Sequence, residues 1–256
     1  MKTKNTFDKT YLLGIISFFL LLFPFGILLF QSPEQITYFT KEDGLIENLS
    51  AFSYFAGSCL LFLIFYKSKH ANKEYVFKSK RNYFFLLLGL FLFFCFGEEI
   101  SWGQRIFGFA SSNEMNSINL QGETNIHNLI LFHSDDIHEI KKTGIKAWFT
   151  AARLFSLLWF FYCLAIPIVN SISSKSNKLF LKFHLPIVPI WVGIFFLLNH
   201  LIVKGFETFT LLENSVIEIK ELNYALLFLL VGITFYNKYL IDNRLTNIHQ
   251  PLHRKQ

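Results

Sequence analysis

Six apolar runs, free of charge except for one arginine, punctuate the chain. They extend from Tyr11 to Phe30, Leu49 to Tyr66, Tyr83 to Gly97, Ala147 to Val169 (with Arg153 inside it), Leu185 to Val203 and Leu222 to Tyr236. The longer ones match the roughly 20 residues that a helix needs to cross about 30 Å of hydrocarbon. Pro24, Gly26, Pro186, Pro189 and Gly193 fall within them, which membrane helices tolerate because neighbouring helices re-satisfy the backbone. The ten-residue alternation of a membrane β-barrel is absent. The pattern predicts an all-α polytopic membrane bundle of six helices, at about 11–30, 47–66, 83–102, 147–169, 184–203 and 219–237, forming one integral domain. The first run is longer than a signal-peptide core and is not followed by a small-x-small cleavage site, so it is read as a retained helix.

Composition agrees. Hydrophobic residues make 52% of the 256 and charged residues only 16%, where a soluble domain carries about a quarter. The formal charge of +6 divides unevenly. The N-terminal tail, 67–81, 170–182 and the C-terminal tail together hold 16 Lys+Arg and three acids, whereas the segments on the opposite side hold 8 Lys+Arg and 15 acids. The positive-inside rule then places both termini in the cytoplasm of a bacterial inner membrane. No basic surface is independent of a span, which argues against nucleic acid as a partner and leaves membrane lipids. Cys59, Cys95 and Cys163 lie in apolar runs without pairing spacing and read as packing residues.

Two runs are short. The third and sixth have 15 uncharged residues each, about 22 Å of helix, and both have basic anchors on the cytoplasmic side. The missing length falls at the outer end. There the third continues as Gly97-Glu98-Glu99-Ile100-Ser101-Trp102-Gly103-Gln104-Arg105, and the sixth is preceded by Glu218 and Glu221. Arg153, Asn199, His200, Glu47 and Ser50 lie at a similar level. Ionisable groups at such depth are costly and face a protein interior or a wet cavity. If the third helix continued, Glu98, Ser101, Trp102 and Arg105 would share one face and Glu99 would point about 100° away.

Between the third and fourth runs lies an external segment, 107–146, long enough to be functional. Its centre reads Asn119-Leu120-Gln121-Gly122-Glu123-Thr124-Asn125-Ile126-His127-Asn128. Thr124 or Asn125 is a plausible N-cap, predicting an interfacial or re-entrant helix that carries His127, Ser134 and His138 on one face and lays His127 over the acids. The histidine- and aspartate-containing run 133–138 lacks the spacing of a metal motif, so no metal ligands are assigned and no cofactor is identified. A short internal similarity links Glu42–Glu47 with Glu213–Glu218 at an offset of 171, both entering the membrane in the same direction.

The two motifs, Gly97–Arg105 and Asn119–Asn128, resemble the signature of a family of uncharacterised bacterial polytopic membrane proteins. That resemblance carries no activity and implies only topology and the choice of residues. The paired histidine motifs of alkaline ceramidases, a second comparison, are missing.

The residues favour a membrane-embedded enzyme acting on a lipid or lipid-linked substrate at the outer face. Glu98, Glu99 and His127 would be its acid–base groups. Trp102, Gln104, Arg105, Glu123, Asn128, Arg153, His200, Glu218 and Glu221 would bind or orient substrate, the arginines taking an anionic headgroup. A proton- or cation-coupled transporter of small solutes and a structural ion-pair network remain as alternatives.

Overall fold

A computed structural model of the protein describes residues 4–71, 74–133, 142–209 and 212–249. It is all-helical, with 78% helix. Among the described residues the only extended pairing is a single antiparallel bridge between Asn119 and Leu129. Each of the six apolar runs lies on a helix. These are α1 (Lys4–Phe30), α3 (Leu45–Lys67), α4 (Tyr83–Glu99), the rod begun by α7 (Ala151–Trp159), α10 (Ile190–Phe209) and α11 (Glu213–His249). Shorter helices join them: α2 (Pro33–Thr40), α5 (Gln104–Phe107), α6 (Asn113–Ile118), α8 (Ile166–Ile172) and α9 (Ser174–Lys182).

Three helical stretches, Pro33–Lys67, Ala151–Ile172 and Ile190–Phe209, are long and apolar enough to cross a membrane. Their outer faces carry exposed leucine and phenylalanine, as do those of α1 and α4. A surface so apolar fits lipid as its solvent. The helices begin and end elsewhere than the apolar runs suggest. The fourth starts at Ala151 because Thr150 caps it, and Gly144–Trp148 upstream forms a 3₁₀ turn. The fifth starts at Ile190, just past Pro189. The sixth extends beyond its apolar run at both ends, so Glu218 and Glu221 sit on an unbroken helix.

The centre of the bundle is the packing of α3 and α11. They run parallel and in register. Thr40, just before α3, meets Ser215 at 2.7 Å; Tyr54 packs on Phe228; the Tyr239 hydroxyl reaches the Lys67 carbonyl. The separations of 175 and 172 residues at the two ends nearly equal the 171-residue offset of the sequence similarity. Gly57 and Gly232 let the backbones approach, a Cβ on Gly232 lying 3.3 Å from the Gly57 carbonyl. α4 closes the third side, and Phe91, Phe196 and Phe228 interlock in the core with Trp159 stacked on Phe196.

Two further features fix the frame. Between α7 and α8 the rod widens into a π-helical stretch, Phe160–Ala165, whose Cys163 carbonyl presses on Gly193 of α10. Deeper in the bundle, the buried Asn199 and Asn223 side chains hydrogen-bond each other at 2.9 Å. Asn223 also donates to the Leu21 carbonyl and Asn199 to the Lys220 carbonyl, joining α1, α10 and α11. In apolar surroundings such a pair is held together because each amide left alone would be costly.

Candidate functional site

The site is built where the Gly97–Arg105 and Asn119–Asn128 motifs meet. α4 ends at Glu99, so the expected helical continuation through Arg105 does not occur. Ser101, Trp102 and Gly103 instead take three successive left-handed conformations, with φ of 45°, 53° and 86°. Left-handed backbone is costly for residues with a Cβ and is retained where the surroundings over-determine it. Here the reversal folds the Trp102 indole back over Gly97, where a Cβ would lie 2.9 Å from the ring. The indole N–H then donates to Glu98 at 2.6 Å.

The external segment also departs from expectation. The stretch 119–133 is not a helix but a compact loop closed by the Asn119–Leu129 bridge, with Leu120 N–H donating to the Asn128 carbonyl and Ile130 N–H to the Ile118 carbonyl. The reason is local. The buried Asn119 side chain accepts from the amides of Gln121 and Glu123 and donates to Asn125, supplying partners that a helix would have supplied. Ser134 and His138, expected on the same helical face, lie outside the described residues.

Loop and helix end are joined by three polar links. Glu98 receives the backbone amides of Ile126 and His127, each at 2.7 Å, and stands 3.2 Å from His127 Nδ1. Ser101 donates to Glu123 at 2.9 Å, and Asn125 donates to the same Glu123 oxygen at 2.5 Å. Gln104 Oε1 accepts from the Thr124 amide and hydroxyl at 2.7 and 2.5 Å, and from Ser111 at 3.2 Å. Ser101, Asn119, Glu123 and Asn125 are all buried. Asn128 holds Gln121 by its side-chain amide.

Glu98 therefore accepts four N–H groups, about as many as a carboxylate has lone-pair directions. That makes it a docking post and an orienter of His127 more than a proton acceptor. A carboxylate only accepts, so the hydrogen in the Glu98–His127 contact belongs to Nδ1, and Nε2 stands outside this contact. The His127 side chain is 45% exposed, against 8% for Glu98. Burial alone would lower the His127 pKa. The Glu98 hydrogen bond and the fields of Glu221, Glu98 and Glu123 outweigh it and hold the imidazole above its ordinary value.

Glu221, half-buried on α11, thus lies within electrostatic reach of His127. Glu99 and Glu221 both lie within electrostatic reach of the buried Tyr54 hydroxyl. Glu218 is half-buried one turn before Glu221. Arg153, expected to face the acids, is exposed; it bonds the Ala147 carbonyl and stacks over Trp148 at 5.3 Å, because its position at the start of α7 turns it back along the preceding 3₁₀ turn. His200 is half-buried on α10 with its ring 6.4 Å from Trp159. The Arg105 side chain lies outside the described residues. Among the described residues, no group of three or more His, Cys, Asp or Glu is arranged to hold a metal ion.

The sequence pointed to Ser101 only as part of a continued third helix and to Thr124 or Asn125 only as a helix cap, and gave Asn119 no role, although each carries part of the docking. Their signal was the density of Asn, Ser and Thr within two short motifs, which marks side chains that replace regular backbone pairing. No protein-family model, curated protein or solved structure matches the chain.

Proposed function

We propose that the protein is a membrane-embedded enzyme that uses His127 as a general acid–base on a lipid or lipid-linked substrate at the outer face of a bacterial inner membrane. The observation that carries this reading is the Glu98–His127 pair: one imidazole nitrogen is fixed by a saturated carboxylate while the ring remains half exposed. An anchored imidazole with one open nitrogen is the arrangement that proton transfer to and from a substrate requires. In this reading Glu98 is a positioning residue, Glu221 and Glu123 tune the imidazole, and Gln104 holds the loop. Six spans with both termini cytoplasmic fit the six helices and the bias of Lys and Arg in the sequence.

The test is conversion of extracted bacterial lipids by the purified protein in liposomes, followed by mass spectrometry. Removing a general acid–base group costs roughly 10²–10⁴-fold, so His127→Gln should lose turnover by that order while keeping the wild-type melting profile in detergent. Equal turnover by wild type and variant would sink the reading.

One observation favours a second reading, a proton- or cation-coupled transporter. The parallel, in-register α3 and α11 have the form of a repeat interface, and Glu99 and Glu221 lie within electrostatic reach of Tyr54 on α3. Uptake of a solute into proteoliposomes, chemically unchanged and driven by a proton gradient, would select it.

A further inference from the structure

At the end of the bundle that carries the site, exposed apolar residues recur where the long helices stop or start. Phe30 ends α1 and is 83% exposed; Phe107 follows α4 and is 79% exposed; Trp148 precedes α7 and is 63% exposed; Phe209 ends α10 and is 89% exposed. Ile106 and Ile145 lie beside the second and third of these and are exposed as well. None belongs to a helix face packed in the core. They recur at the same end of four different helices, and together they make an apolar collar there.

The chemistry of the collar points to one occupant. These residues sit on four helix ends and continue the exposed apolar surface of the helices themselves, which fits lipid as their solvent. Trp148 carries Arg153 over its ring and lies two residues from Lys146. Aromatic rings beside cationic side chains are the composition of the headgroup level of a bilayer, where the ring sits among acyl carbonyls and the cation reaches phosphate. Two of the four, Phe107 and Trp148, lie on short segments outside the long helices: α5 and the 3₁₀ turn Gly144–Trp148. Irregular backbone is costly in hydrocarbon and tolerated at the interface. The loop closes on itself through Asn119, Glu123 and Asn125.

We propose that this collar seats the external segment in the outer lipid interface, with Trp148 and Phe107 inserted at headgroup level, so that His127 opens beside lipid headgroups. The proposal rests on the reading that the chain spans a bilayer; it does not depend on what His127 does chemically. Its consequence for the site is lateral supply: a lipid substrate reaches the imidazole without leaving the leaflet.

The experiment uses the full chain in liposomes whose lipids carry bromine at a shallow or a deep acyl position. A variant that keeps Trp148 and replaces Trp102, Trp159 and Trp191 by Phe reports the collar; the same background with Trp148→Phe and Leu87→Trp reports an exposed position within α4. The expected result is Trp148 emission quenched more by shallow than by deep bromine and little by aqueous iodide, with Trp at 87 quenched by deep bromine. Iodide quenching of Trp148 without bromine quenching overturns the proposal. Shielding from both quenchers also overturns it, in favour of a protein covering the collar. Failure of both reporters to sense bromine removes the membrane reading itself, which separates that failure from one confined to the collar. Adding His127→Gln leaves Trp148 quenching unchanged, so a failed catalytic reading and a failed collar are told apart. If the tryptophan replacements do not fold, a spin label at Ile145→Cys in a chain with Cys59, Cys95 and Cys163 replaced by Ala gives the same depth. Stronger relaxation by oxygen than by an aqueous nickel chelate supports the collar; the reverse overturns it.

Discussion

Trp102 donates its indole N–H to Glu98 from four residues downstream, although the helix between them has already ended. The contact has the spacing of a helical turn but is made by a left-handed reversal, and it closes one side of Glu98 while the external loop closes the other. Each part of that arrangement can be tested separately.

Glu98→Gln keeps the shape of the side chain and removes its charge. One of its two oxygens becomes a donor facing groups that also donate. Hydrogen bonds to a charged group contribute about 1.5–3 kcal/mol each, so the expected loss is about 3 kcal/mol after partial rearrangement. The amides of Ile126 and His127 should lose protection in hydrogen exchange before any global unfolding.

The pH dependence follows from His127. Its folded pKa is raised above the ordinary value of 6.5 by Glu98 and the surrounding carboxylates, despite burial. Stability from this group is therefore complete below about pH 6.5 and is lost as pH rises through the raised folded value. Melting in detergent should show a decline in that window for wild type and a flatter profile for His127→Gln. If catalysis needs neutral imidazole, activity should rise across the same window.

Gly103→Ala tests the reversal. An L-residue in left-handed backbone costs roughly 1–2 kcal/mol, and the new Cβ would lie 3.0 Å from the Phe107 ring. The variant should melt earlier and release the Trp102 indole from Glu98, detectable as a red shift in Trp102 emission in a single-tryptophan background.

Asn119→Ala removes an acceptor for two amides and a donor to Asn125. Buried groups left unsatisfied cost about 1–3 kcal/mol each. Loop residues 121–127 should exchange or be cleaved at a much higher rate, while α3, α4 and α11 keep their protection.

Gly193→Ala addresses the frame instead of the site. Its Cβ would fall 2.2 Å from the Cys163 carbonyl and 2.8 Å from the Leu164 Cα, both backbone atoms with nowhere to move. Overpacking of this kind costs about 1–3 kcal/mol or more. Reduced yield of folded protein in detergent is the expected readout, and a wild-type melting curve would contradict the packing of α10 on the π-helical stretch.

Apolar length showed where the helices lie, because a helix solvated by lipid has no alternative composition. It did not show where they stop. The end of α4 is set by Ser101 and Trp102 in left-handed backbone, conformations that neither residue favours on its own and that only the docked loop explains. The same holds for the loop. A helix through His127 satisfies local capping rules, yet Asn119 reaches across the turn and takes the backbone partners first. Arg153 misled for a simpler reason: one cation in an apolar run suggests burial, but near the start of α7 its side chain turns back to Ala147 and Trp148. Asn223 attracted no notice as a single polar residue at the edge of an apolar run; its partner Asn199 and the Leu21 carbonyl come from other helices.

A helix that ends by frayed turns can absorb an extra residue; α4 cannot. Its last turn is pinned by the reversal at Ser101–Gly103, so its length acts as a ruler between the basic residues Lys80 and Arg81 and the carboxylate that receives the loop. One inserted residue would turn Glu98 by about 100° and displace it by about 1.5 Å, enough to put it where Glu99 stands and to leave Gly97 where Glu98 stood. The reach of the 119–133 loop is thereby set by the number of residues in α4.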